Sequence, residues 1–188
     1  MNITIISASV RTGRNSHRVA LYLKNYLTAT NIATVNILDL NEFKFPVFEE
    51  RLQYLPNPSA QILKFTEGVK QADGIIIVTP EYNGGYPASL KNVIDLLYVE
   101  WKKKPVALAT VSAGPFGGAQ VTTALLFPLW KIGAWVVPAM FPTPKVQEAF
   151  DEQGNATDKA ATDKRVKPFI EELVWCVEAR KKMTAVVS

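Results

Sequence analysis

Three short stretches of the chain concentrate residue types that could grip a phosphorylated, ring-bearing small molecule. The first is Ser7-Ala8-Ser9-Val10-Arg11-Thr12-Gly13-Arg14-Asn15-Ser16-His17-Arg18. Ser9, Thr12, Asn15 and Ser16 offer neutral donors, and Arg11 and Arg14 offer charge-assisted ones, the inventory a phosphate monoester needs. The stretch has neither the Walker A pattern nor the G-x-G-x-x-G fingerprint, and by itself it reads equally well as a polar turn before a helix. The second runs Thr79-Pro80-Glu81-Tyr82-Asn83-Gly84-Gly85-Tyr86-Pro87, with two prolines, two tyrosines and two glycines in eight residues. Its glycines permit positive φ, its prolines fix the ends, and Tyr82 could lie against a planar ring. The third, Ser112-Ala113-Gly114-Pro115-Phe116-Gly117-Gly118, would let backbone approach a flat ligand closely, although a tight turn would look the same.

Other chemistries are poorly supplied. With one His and one Cys the chain offers no zinc ligand set and no disulfide framework. Cys176 sits in the apolar run Leu173-Val174-Trp175-Cys176-Val177 and reads as a buried, inert thiol. No Ser-His-Asp set or carboxylate pair is apparent, so no catalytic acid, base or metal ligand is nominated. The net charge of +4 is modest. The basic cluster Arg11, Arg14 and Arg18 reads as a local anion site, not a nucleic-acid surface. Lys102-Lys103-Lys104 reads as a solvated turn. The first apolar run, Ile3 to Ile6, is too short for a signal peptide, and no stretch approaches the ~20 apolar residues of a membrane span. A cytoplasmic protein with no membrane or nucleic-acid partner is expected.

What must position the three stretches is an alternation of strands and helices. At 188 residues and 48% hydrophobic, the chain can bury one core, and a single domain over 1–188 is expected. Strand patterns fall at 2–7, 34–38, 74–79, 105–112 and 134–137. Helical periodicity falls at about 16–27, with Ser16 as N-cap, and at 59–71, 88–101, 119–132 and 162–182. Residues 39–58, with three prolines, read as a long connection. Five βα units predict one doubly wound parallel α/β sheet, flavodoxin-like, in strand order 2-1-3-4-5. In such sheets the ligand sits outside the carboxyl ends of the strands, where all three stretches converge.

These residues resemble the NADPH-dependent FMN reductase family of flavodoxin-like proteins, which includes quinone, azo-dye and chromate reductases. The resemblance covers about residues 2–137. Pro80-Glu81-Tyr82-Asn83, then Pro87 to Asp95, is similar to that family's P-E-Y-N-x-x-x-P-x-x-L-K-N-x-I-D. Ser9 and Arg11 match its G-S-x-R loop, with Ala8 where the family usually has Gly, and Ser112 to Gly118 is similar to its third flavin loop. The resemblance implies that Ser9, Arg11, Asn15, Ser16 and His17 surround the phosphate of FMN. It implies that Pro80, Glu81, Tyr82 and Asn83 border the isoalloxazine, and that Ser112, Gly114, Gly117 and Gly118 approach its pyrimidine edge. The implied activity is two-electron transfer from NADPH or NADH through FMN to a small-molecule acceptor. A flavin-binding electron carrier or a redox sensor would present the same pocket. Apolar residues off the core stripes, Leu96 and Tyr98 on the third long helix and Leu126, Phe127 and Trp130 on the fourth, point to a homodimer or homotetramer through those helices.

Overall fold

Five short, β-branched-rich segments form the sheet of the computed structural model, which describes residues 1–187. They are β1 (Asn2–Ser7), β2 (Thr34–Asp39), β3 (Gly74–Pro80), β4 (Pro105–Val111) and β5 (Trp135–Met140), all parallel, in the order β2-β1-β3-β4-β5. This is the expected topology. β3 and β4 are buried along nearly their whole length because helices cover both faces, which is why they read as unbroken apolar runs.

The helices are α1 (Ser16–Ala29), α2 (Leu40–Phe43), α3 (Ala60–Lys70), α4 (Ala88–Leu96), α5 (Ala119–Lys131), α6 (Val146–Ala149) and α7 (Lys159–Val187). Side chains alternate across the sheet: Ile3, Ile5, Ile76, Val78, Ala107 and Ala109 pack with α1 and α7. Ile6, Ile75, Ile77, Val106 and Leu108 pack with α3, α4 and α5. Cys176 is buried on the α7 side as expected, and burial raises its thiol pKa. β5 is an edge strand with Pro138 inside it. There two steps along β4, Val106 to Leu108, face four along β5, Val136 to Met140, an irregularity an edge tolerates.

Several local expectations change. Ser16 is not the N-cap of α1: Asn15 holds that position, in a helical conformation and without a side-chain cap. The 39–58 connection contains α2 and a 3₁₀ turn at Leu52–Tyr54. It is tied down by Asn92, which accepts from the Phe48 N–H (2.5 Å) and donates to the Pro46 carbonyl (2.6 Å). α4 ends at Leu96, and Leu97 turns to extended backbone, so helical phase no longer separates the two; both are buried. Leu96 therefore offers no partner surface. α7 begins earlier than its periodicity indicates, at Lys159, with the Asp158 carboxylate accepting the Ala161 N–H (2.9 Å). Lys104 is not part of a solvated turn: it is buried, and its ammonium donates to the carbonyls of Val69, Lys70 and Ala72 at the end of α3. Burial, with Arg180 nearby, pulls its pKa down to about 8.

Candidate functional site

Backbone hydrogen bonds carry the sheet's ladder beyond the strands and fix the loops to one another. The Ala8 N–H donates to the Val78 carbonyl (3.0 Å), that of Glu81 to Val111 (3.2 Å) and that of Ser112 to Thr143 (3.0 Å). The loops after β1, β3 and β4 consequently meet around one cleft of about 490 Å³, within the ~300–1,000 Å³ range of small-molecule pockets. Of the candidate residues, Ser9, Arg11, Asn15, Ser16, Pro80, Glu81, Tyr82, Ser112, Gly114 and Gly118 line it. His17, Asn83 and Gly117 do not.

In the first loop the turn is made at Gly13 (φ 67°), and Ala8 is buried without positive φ, so alanine fits there. The Ser9 hydroxyl meets the Tyr82 hydroxyl (2.8 Å), joining the first loop to the second. The Arg11 guanidinium lies 5.7 Å from the centre of the Tyr82 ring and has no carboxylate partner among the described residues. Arg14 behaves differently. It too lines the cleft, but its guanidinium is paired with both oxygens of Asp39 and donates to the Ser9 carbonyl (3.0 Å). Burial alone would raise the Asp39 carboxyl, but hydrogen bonds from Arg14 and the Asn41 N–H hold it below the usual carboxylate range. His17 faces the neighbouring groove, with Nδ1 3.0 Å from the Ser7 hydroxyl and 3.6 Å from Asp39. Burial lowers its pKa, only partly opposed by Asp39.

The α1 end is the least satisfied part of the rim. It carries no side-chain cap and no acidic residue in its first turn, and the buried Ser16 hydroxyl has no hydrogen-bond partner among the described residues. First-turn N–H groups and an orphaned hydroxyl beside a cleft are chemically suited to receive an anion. The α5 end is closed instead: the Glu81 carboxylate accepts the N–H groups of Gln120 (2.9 Å) and Val121 (3.1 Å). Glu81 thus braces the second loop against the start of α5 with its side chain.

The second loop is a two-residue turn closed by Tyr82 and Gly85 (2.8 and 3.0 Å), with positive φ at Asn83 and Gly84. That geometry turns Asn83 away from the cleft and explains the Asn-Gly pair without a ligand. In the third loop the Ser112 hydroxyl donates to the Gly114 carbonyl (2.8 Å) and accepts from the Gly117 N–H (3.0 Å). Gly118 (φ 81°) must be glycine, because a Cβ would lie 2.9 Å from that of Thr110. Val146 and Gln147, at the start of α6, form a fourth wall that the sequence reading passed over. The Lys145 and Val146 N–H groups hold them there by donating to Gly114 (3.0 Å) and Ser112 (3.2 Å). The rule that places ligands outside strand carboxyl ends applies to β5 as well and would have pointed to them.

Residues 1–148 match the family described as NADPH-dependent FMN reductase. An NAD(P)H-dependent FMN reductase of Saccharomyces cerevisiae is 32% identical over 138 residues, covering 66% of this chain and 71% of that protein. A quinone reductase of Pseudomonas putida is 28% identical over 182 residues, covering 92% and 90%. Among solved structures, the flavoenzyme NAD(P)H:(acceptor) oxidoreductase FerB of Paracoccus denitrificans superposes with a TM-score of 0.77 at 23% identity, covering 95% of this chain and 98% of that one. The last agreement concerns the fold alone.

Proposed function

The chain belongs to the NADPH-dependent FMN reductase family and is an FMN-dependent NAD(P)H oxidoreductase, and we propose that the three-loop cleft is where it holds FMN. The observation that carries the assignment is the uncapped α1 end with its buried, unpartnered Ser16 hydroxyl. The donor set fits a phosphate monoester: Ser9, Asn15 and Ser16 are neutral donors and Arg11 is an unpaired cation. The apolar walls Val111 and Val146, with Tyr82 and the glycine-lined third loop, fit a flat ring.

When bound, FMN would supply two-electron redox chemistry between NAD(P)H and the acceptor. The chain's own residues bind and orient. Arg11, Ser9, Ser16 and the α1 N–H groups hold the phosphate, Glu81 fixes the second loop to α5, and Val111 and Val146 keep water from one side of the cleft. No side chain is assigned as acid or base. Anaerobic addition of NADPH to flavin-loaded protein should bleach its absorbance near ~450 nm. A solution that stays yellow would sink the assignment.

The quinone reductase relative supports a quinone as acceptor, and the apolar Val111, Phe116 and Val146 suit a planar aromatic substrate better than a metal oxyanion. Steady-state turnover with a benzoquinone against chromate tests this. A lower kcat/KM for the quinone would reverse it. We further propose a homodimer, or a dimer of dimers, through α5; with Leu96 buried and Tyr98 beyond its end, α4 contributes no apolar surface to it. Phe127 and Trp130 are 66% and 68% exposed on adjacent turns of α5, beside Leu126. Sedimentation should show a dimer at micromolar concentration and a monomer for Trp130→Glu. A wild-type monomer contradicts it. The use of NAD(P)H as electron donor supports a cytoplasmic setting. Among the described residues no helix is long and apolar enough to cross a membrane.

A further inference from the structure

We propose that Asp39 is a positioning residue, whose carboxylate acts through Arg14 to hold the first loop in the shape that receives the FMN phosphate. The inference rests on the FMN assignment above and names how the chain maintains that site. Asp39 is the last residue of β2, a strand that contributes no lining to the cleft, and its side chain is 5% exposed. Both carboxylate oxygens receive the Arg14 guanidinium, and one also accepts the Asn41 N–H (3.0 Å). From that anchor Arg14 reaches back across the loop to the Ser9 carbonyl (3.0 Å). The guanidinium is a strut between the edge strand and the residue whose hydroxyl bridges to Tyr82.

This arrangement explains why two arginines in one loop have different fates. Arg14 is enclosed by acceptors of its own chain, whereas Arg11, three residues earlier, has none of them and stays available to an anion. A buried bidentate pair is weak evidence for stability by itself, since apolar residues of similar volume often do as well. What an apolar pair could not supply is the directed bond to the Ser9 carbonyl. His17 completes the anchor, packed between Ser7 and Asp39 and not toward the cleft.

The test separates positioning from direct contact and from general stability by comparing FMN with riboflavin, which lacks the phosphate. Asp39→Asn keeps the side chain's shape and an acceptor for the Asn41 N–H while removing the charge. Its FMN Kd, followed by quenching of flavin fluorescence, should rise by about tenfold or more, the size expected for disturbed hydrogen bonds to a charged group. Its riboflavin Kd should stay within about twofold, because the contacts to the ring are untouched. An unchanged or tighter FMN Kd would overturn the inference, since a released Arg14 would then be serving as a phosphate ligand. Equal weakening of both flavins would overturn it in favour of a general structural role. Should Asp39→Asn fold poorly, the paired replacement Arg14→Met with Asp39→Leu removes the ion pair without leaving either charge buried alone. It should stay folded, with a melting temperature lowered only by the lost bonds to the Ser9 carbonyl and the Asn41 N–H, yet lose the preference for FMN over riboflavin, and a retained preference refutes the proposal. Wild-type protein that binds neither flavin would remove the FMN assignment itself, and this inference with it.

Discussion

At the amino end of the sheet, Lys104 is buried at 4% exposure with its ammonium on three carbonyls of the α3 end, at 3.0, 3.1 and 2.6 Å. At the carboxyl end, the side chain of Asp39 is 5% exposed and that of Arg14 15%, and among the described residues the groups around them are not all satisfied: Ser16 keeps an unpartnered hydroxyl and Arg11 an unpaired charge. Both ends bury a charge next to a helix terminus. The amino end closes its helix with a side chain, and the carboxyl end leaves α1 uncapped. Completed hydrogen bonding marks a structural site, and donors left waiting mark a site built for something that arrives later.

Breaking the amino end should have the largest effect and should fall on stability alone. Lys104→Ala strands three carbonyls and is expected to cost about 3 kcal/mol in urea denaturation, with the FMN Kd unchanged. A comparable loss of FMN affinity would show that the two ends are not separate. Ser16→Ala should do the reverse. Removing a buried hydroxyl without a partner leaves the apo-protein as stable or slightly more so, while FMN affinity falls by about tenfold, as for a lost bond to a charged group. Apo-protein destabilised by this change would mean the hydroxyl already has a partner. Tyr82→Phe removes one neutral bond, to Ser9, and should weaken FMN binding by about 1 kcal/mol, measured by titration.

The smallest effect concerns pH. The folded-state pKa of Asp39 lies below its ordinary value, so below about pH 4 the unfolded chain binds the proton more readily. The stability this group contributes is present above that pH and is lost as pH falls toward the folded pKa. The melting temperature of Asp39→Asn should therefore decline less steeply between about pH 4 and 2 than that of the wild type. A small slope remains in the variant because Asp73 and Asp163 are also lowered. Identical slopes would place the acid sensitivity elsewhere.

Patterning made the scaffold legible: β-branched runs, helical stripes and Pro/Gly punctuation are local signals, and they recover all five strands in order. The cleft was legible as three loops because their donors and glycines cluster in sequence. Helix ends were less so. Ser16 looks like a cap by residue type, yet the cap position falls one residue earlier, which leaves its hydroxyl for the cleft. Lys104 looks solvated because its neighbours in sequence are. Its partners lie more than thirty residues away, at and just beyond the end of α3, and no window of sequence contains them.

Fold class, family and the loops that build the site were thus determined by the chain's own order of residues, since each rests on contacts or periodicities within a few positions. Which donors remain open was decided only by folding. Arg11 and Arg14 are alike in type and three positions apart, and nothing local distinguishes them. Asp39 arrives beside Arg14 because β2 lies next to β1, and that pairing, twenty-five residues away, leaves Arg11 as the free cation.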